Sequence, residues 1–538
     1  MPKKKVEQKR EWKFKYDPKL SICSLQLEDW WHDMKVLSLL PGSRHRSAAI
    51  NAYLGARYSR SDKSIWDIAK EVLEKDINAV ERLEKIFAGY GHKSVGDMAD
   101  IFVCMEKVPM LFIFKFFNMN SLGAGQARST RYQDFSNPDL IRLPEGVGNE
   151  EIREEYDNIL REEMHNYNSV LEETKETLAK GFKIEDLEDK CLCSRSFDTA
   201  RYLLPLGLKS SFGFLTTARK WSEIIALLSA SNGVVDNEVS LMLKELLSPS
   251  EKSKTNGYIP EAAELIRHVE PDNSQIKSTK EVLKYLKKLI SKQEQLTLSE
   301  SPVNDFEAKI STPADEYLMS NYEALLNPSG SANEMIYENK DLLKISEILS
   351  NYHDRHHILG NISNSRPYLF DGFCDIGSMR DLNRHRSMAR FVPILYDIDM
   401  DQELNRENKN TYYLCPYLYI KEANTLRKKY REYLNSTYER IKEWRKKAKK
   451  VLSNTLLDEY TKYLLPMAHA TRYRFSGDLD SLQYIADLRT RNGGHIAYRE
   501  LSYAWTAKAS AEDPLLQKFV SKIVKPDFKS KEQFLDRK

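Results

Sequence analysis

Arg384-His385-Arg386, inside the run Met379 to Phe391, sets two guanidinium forks around an imidazole. Such a group is costly to bury unless something anionic or electron-rich lies against it. Its plainer readings are a solvated basic loop or an inter-domain ion-pair cluster. Arg44-His45-Arg46-Ser47 has the same spelling near the N-terminus, so spelling alone decides nothing. Four further groups carry chemistry: His92-Lys-Ser94, Ser129-Thr-Arg131-Tyr132, Arg201 in Arg201-Tyr-Leu-Leu-Pro205, and Arg489 in Ala486-Asp-Leu-Arg489. Planar bidentate arginines with a neutral hydroxyl donor suit a phosphate dianion, although each arginine alone reads as a surface salt bridge. A lone histidine such as His92 is more often structural than reactive. Gly123-Ala-Gly125 lacks the strand-loop-helix spacing of a phosphate loop. The six cysteines are scattered, with only Cys191 and Cys193 close, so neither a zinc site nor a disulfide framework is expected, which fits a reducing cytoplasm.

The elements that must position these groups follow from length and pattern. At 538 residues the chain exceeds one core, so two or more domains are expected. With 41% hydrophobic and 30% charged residues it reads as a soluble globular protein, and a net charge of +3 provides no bulk field for nucleic acid. No apolar stretch is long enough to span a membrane, and the basic start Met1 to Lys5 has no apolar run behind it. Met34 to Leu40 reads as a strand, and a helix with apolar 3-to-4 spacing follows from Ser64 to about Ile86. Met110 to Phe117 is a buried strand or helix piece. A long amphipathic helix is expected from about Glu151 to Lys180, closed by Gly181. Another helix covers about Lys220 to Ser229. From Ser248 to Pro302 the composition is that of a connector with some helix, ahead of a strand-like Ala308 to Pro313. A very long helix is expected from about Lys421 to Leu452, with the basic run Arg445 to Lys450 as a solvated face.

Tyr202-Leu-Leu-Pro205 recurs as Tyr463-Leu-Leu-Pro466, an offset of 261 positions. Carried forward without a gap, the offset sets Phe212 on Tyr473, Phe214 on Phe475, Ile224 on Ile485 and Leu227 on Leu488. Each copy follows a long charged helix, so duplication explains the pattern. The copies differ where charge matters: Leu228 stands where the second has Arg489, and Arg201 where it has Lys462. The domains expected are a first unit over 1–295, ending in the connector, and a second over 305–538.

The motif order resembles that of flavin-dependent thymidylate synthase, the ThyX family, with the signature divided between the halves. The first has His92-Lys-Ser94, Ser129-Thr-Arg131-Tyr132 and Arg201-Tyr-Leu-Leu-Pro205, but Asn120-Ser-Leu-Gly-Ala where the family has Arg-His-Arg. The second has Arg384-His385-Arg386 and Leu488-Arg489, but Val392 to Tyr396 supplies no Ser-x-Arg-Tyr, and Asp381 stands where the family has Gln. The resemblance implies an α+β fold of two tandem units, each a sheet with long helices. It implies methylation of dUMP to dTMP with FAD as cofactor and methylenetetrahydrofolate and NADPH as co-substrates. It further implies that Arg384, His385, Arg386 and His92 contact the flavin. Ser129, Arg131, Tyr132 and Arg201 would hold the nucleotide, and Arg489 would be the catalytic residue that polarises the pyrimidine. The family assembles sites between subunits, so each half would keep the side that the other lost, in a homodimer acting as a pseudo-tetramer. Partners other than dUMP, nucleic acid and membrane among them, are not implied. A flavoprotein acting on another pyrimidine nucleotide, and a non-catalytic nucleotide-binding or scaffold protein, remain open.

Overall fold

A computed structural model describes residues 12–17, 22–27, 35–39, 48–58, 93–120, 122–130, 137–249, 262–271, 306–310, 338–350, 368–406, 411–520 and 522–536, with a few isolated positions between them. The expected helix from Ser64 to Ile86 and most of the connector lie outside the described residues, as do Arg44-His45-Arg46, His92, Arg131 and Tyr132.

The fold is α+β. Alternating apolar residues build two antiparallel sheets. The first contains β1 (Trp12–Asp17), β2 (Ile22–Leu27), β3 (Lys35–Leu39), β4 (Asp100–Pro109), β5 (Ala124–Ala127) and β6 (Lys209–Thr217) in the order β1-β2-β3-β4-β6-β5. The second contains β7 (Phe306–Ile310), β8 (Tyr368–Asp375), β9 (Ala389–Phe391) and β10 (Ala470–Gly477) in the order β7-β8-β10-β9. Helices of the first half include α1 (Met110–Met119), α2 (Glu150–Phe182), α3 (Lys190–Ala200), α4 (Ala218–Ser229) and α5 (Val234–Leu247). Those of the second include α6 (Ile376–Leu382), α7 (Asn424–Ala448), α8 (Asn454–Tyr463), α9 (Leu479–Thr490) and α10 (Ile496–Glu512). No described helix is long and apolar enough to cross a membrane.

The 261-residue offset is a structural repeat. It carries α4 onto α9 end to end, and their N-caps correspond: Thr217 accepts from Lys220 N, and Asp478 from Ser481 N. The two Leu-Leu-Pro segments pair with each other across an approximate twofold axis. Leu206 N donates to Leu465 O and Met467 N to Leu204 O, each at 2.9 Å. Gly207 N donates to Tyr463 O at 2.7 Å and Ala468 N to Tyr202 O at 2.9 Å. Each bond is the 261-shifted image of the other, as an isologous contact requires. One hydrophobic core therefore runs through both halves, from Val103 and Phe214 to Tyr473 and Trp505.

The long helices α2 and α7 close the structure side by side and antiparallel, with Lys429 on Glu173 at 2.6 Å near one end and Lys447 on Glu155 at 3.0 Å near the other. Between them Trp444 donates to Ile152 O at 3.0 Å, and Thr174 meets the Tyr430 hydroxyl at 2.8 Å. Helix α2 begins at the cap Asn149, with Glu150 and Glu151 in its first turn where the helix dipole favours acids. It does not stop at Gly181. The helix continues to Phe182, and Lys183 adopts the left-handed cap conformation. Gly181 is needed for clearance instead, because a Cβ there would collide with Ile420 Cδ1. The Met110 to Phe117 run is helical: it is buried nearly all round, so periodicity could not distinguish helix from strand.

Glu163 on α2 is buried, and neither carboxylate oxygen has a hydrogen-bond partner among the described residues. Burial raises its pKa well above the ordinary 4.5. A raised folded pKa gives stability that is complete below the unfolded value and lost as pH rises through the folded one. Glu163→Gln is therefore expected to melt a few degrees above wild type at pH 8, with the gap closing toward pH 4.5, as differential scanning fluorimetry across pH would measure. A constant gap would assign the effect to packing.

Candidate functional site

A cavity of about 640 Å³ opens where the halves meet, within the size range of cofactor pockets. The first half contributes Ile113, Phe114 and Phe117 from α1, the β5 residues with Leu122 and Arg128, and Leu215 to Thr217. The second contributes Arg380, Asn383 to Ser387, Tyr484, Leu488 and Arg489. Arg384, Arg386 and Ser387 are exposed toward it while His385 is buried at its back.

The Arg-His-Arg turn leaves α6, which Asp375 caps by accepting from Ser378 N at 2.7 Å. Asn383 then anchors the turn to the other half. Its Nδ2 donates to Phe114 O at 2.9 Å and its Oδ1 accepts from Asn118 at 2.9 Å. Arg386 donates to Gly123 O, a further bond between the halves. Arg489 Nε–H donates to His385 Nε2 at 2.5 Å. That donor needs the Nε2 lone pair, which the tautomer with its proton on Nδ1 supplies. The Arg489 guanidinium also lies 5.3 Å from the Tyr498 ring centre. Gly494 leaves room for that ring, since a Cβ there would strike the Tyr498 hydroxyl.

Beneath the arginines lies Asp381, buried, with Arg201 at 3.2 Å, Arg380 at 3.6 Å and Arg384 at 3.9 Å. Burial alone would raise its carboxyl, but Arg380, Arg201, Arg384 and Arg489 outweigh that and hold it well below the usual carboxylate range. Burial pushes Arg380 down to about 10, which leaves it cationic at neutral pH. Arg380 also donates to Thr130 Oγ1 at 3.3 Å. One buried carboxylate thus holds several guanidiniums in place while Arg128, Arg386 and Arg489 add further charge. The cavity suits an anion with planar bidentate acceptors, and an extended ligand carrying phosphates and a flat ring fits both its volume and its donors.

Of the expected site residues, the cavity brings together Arg384, His385, Arg386 and Arg489. Ser129 is half-buried and adjoins the lining residue Arg128. Arg201 is elsewhere: 2% exposed, it lies off the cavity wall and is held by Asp198 at 3.3 Å and by Asp381. His92, Arg131 and Tyr132 are outside the described residues. Motif reading missed Arg128, Arg380 and Tyr484. Arg380 had a signal, lying four residues before Arg384 at helical spacing; Tyr484 had none. Cys415 is a core residue, its thiol buried and pushed up to about 12.

The twofold-related positions in the other half carry different residues. Gly125 pairs with Phe214 and Arg390 with Phe475, so Arg390 occupies the glycine's register position in the second sheet. Its guanidinium donates to Asn383 O and, at 3.2 Å, to Phe117 O. In the same register Asn120 stands for His385 and donates to Phe116 O at 2.7 Å. Leu228, 1% exposed, stands for Arg489.

A UPF0159 protein of Chlamydia pneumoniae is 21% identical over 489 residues, an overlap covering 86% of this chain and 84% of that protein. The sequence profile of the thymidylate synthase complementing protein family matches residues 43–253 and 354–515, one segment in each half of the repeat. These segments cover most of the chain and contain the residues that line the cavity, so the chain belongs to the thymidylate synthase complementing protein family.

Proposed function

We propose that this protein is a flavin-dependent enzyme that methylates dUMP to dTMP, drawing the one-carbon unit from methylenetetrahydrofolate and reducing equivalents from NADPH, at one composite site per chain. The observation that carries the reading is the cavity in which Arg384-His385-Arg386 and Arg489 of one half face β5 and Arg128 of the other. Arg384 and Arg386 would contact the flavin, with His92 beside it, and stabilise the negative charge of its reduced form. Ser129, Arg131 and Tyr132 would hold the nucleotide, and Arg489 would polarise the pyrimidine while His385 orients it. Arg201 contributes through Asp381, keeping the cationic wall in position. When bound, the flavin supplies hydride chemistry, so no protein nucleophile is required. Two chains would pair as a homodimer in the cytoplasm.

The test is an absorbance titration of purified protein with FAD, followed by addition of dUMP. The expected result is a flavin band that saturates at about one equivalent per chain, since only one half has Arg489 and an Arg-His-Arg at the motif position, and shifts with the nucleotide. A colourless protein that ignores FAD would overturn the reading in favour of a non-catalytic role. A second reading, methylation of another pyrimidine nucleotide, is favoured by Asp381, whose buried charge holds Arg201 and Arg380 beneath the cavity. Rescue of a thymidine auxotroph would decide for dUMP.

A further inference from the structure

Tyr484 projects from α9, one helical turn before Leu488 and five residues before Arg489. It lines the cavity and is 40% exposed, in a wall otherwise dominated on this side by arginine. Its ring meets that of His385 edge to face, with centres 5.8 Å apart at 69°. The repeat supplies a control for its structural necessity. The corresponding residue on α4 is Glu223, which pairs at the surface with Lys220 at 3.0 Å and Arg219 at 3.4 Å. Helix packing at this place therefore does not demand an aromatic; the half bearing Arg-His-Arg has one, facing the cavity.

We propose that Tyr484 is the stacking platform for the flat ring of the cofactor, a specificity-determining contact that no motif encodes. The inference rests on the flavin reading above. Aromatic faces stack best with offset, electronically complementary partners. The electron-rich phenol complements an electron-poor isoalloxazine better than it does a small pyrimidine. A ring lying on Tyr484 would also sit beside His385, whose orientation Arg489 fixes. The neighbouring arginines attract any anion, so Tyr484 adds selection for a flat one.

The test uses the full chain titrated with FAD, with affinity read from absorbance and bound-flavin fluorescence read separately. A stacked phenol quenches an excited flavin by donating an electron to it, which a phenyl ring does not do. Wild type is expected to hold a dim flavin. Tyr484→Phe should keep the affinity and brighten the bound flavin several-fold. Tyr484→Leu should brighten it too and weaken binding about tenfold or more, the scale of a lost aromatic stack. Two variants that bind and fluoresce like wild type would overturn the platform while leaving the flavin reading intact. Wild-type protein that takes up no flavin would overturn both.

Discussion

Asp381→Ala is expected to destabilise the protein by about 3–5 kcal/mol, the cost of removing one partner from a buried charge cluster. The wild-type carboxylate is shared among Arg201, Arg380 and Arg384, and the first two guanidiniums are themselves buried. Asp198 still faces Arg201 in the variant, at 3.3 Å, but Arg380 retains only the neutral Thr130 hydroxyl from this set. Asp381→Asn preserves the shape and should lose less. The pH dependence follows from the direction of the shift. A carboxyl held below its unfolded value contributes stability above that value, near 3.8, and loses it as pH falls through the lower folded one. The gap between wild type and Asp381→Ala should therefore be flat from pH 5 to 8 and narrow only in strong acid. Chemical unfolding at three pH values would measure it. Equal unfolding curves would mean that the arginines find other partners and that Asp381 does not organise the wall.

The repeat was the most legible feature, and the reason is local. Tyr-Leu-Leu-Pro and the residues after it form an element whose register allows no slippage, so an ungapped offset found α4 and α9 to the residue. What no local pattern could reveal is that the two copies bond to each other through Leu206, Leu465, Met467 and Leu204. Apolar periodicity reports which face is buried and not what covers it. Arg201 shows the same boundary. Its type and motif suggested a phosphate contact, whereas its surroundings, Asp198 three residues earlier and Asp381 from the other half, engage it below the wall. Asp381 was visible as a departure from the family pattern, but its effect depends on a charge balance that only the assembled halves create. Arg390 and Gly125 make the point for asymmetry: at one register position of the two sheets, one half has a glycine and the other an arginine bonded to Asn383 O.

Arg489→Ala is expected to lower turnover on the order of 100- to 1000-fold, the loss typical of a preorganised donor aimed at developing charge. Two consequences of the geometry add together here. On the proposed reading the substrate would lose its cationic partner, and His385 loses the Nε–H that fixes its ring at 2.5 Å. Arg489→Lys restores charge without a fork that can reach His385 while still presenting a planar face to the substrate, so it should recover little. Flavin binding should survive, because Arg384, Arg386 and Tyr484 remain, and this separates a catalytic loss from a collapsed cavity. The composite site makes a stronger demand. Arg131 lies in the other half, and Arg131→Ala should cut turnover as deeply as Arg489→Ala does, because neither half carries the whole set of motif residues. The double variant should then be scarcely worse than either single one, as expected for residues acting as a unit. If either single variant kept about half the wild-type rate, each half would hold a whole site of its own, and the shared cavity would be the wrong place to look for the chemistry.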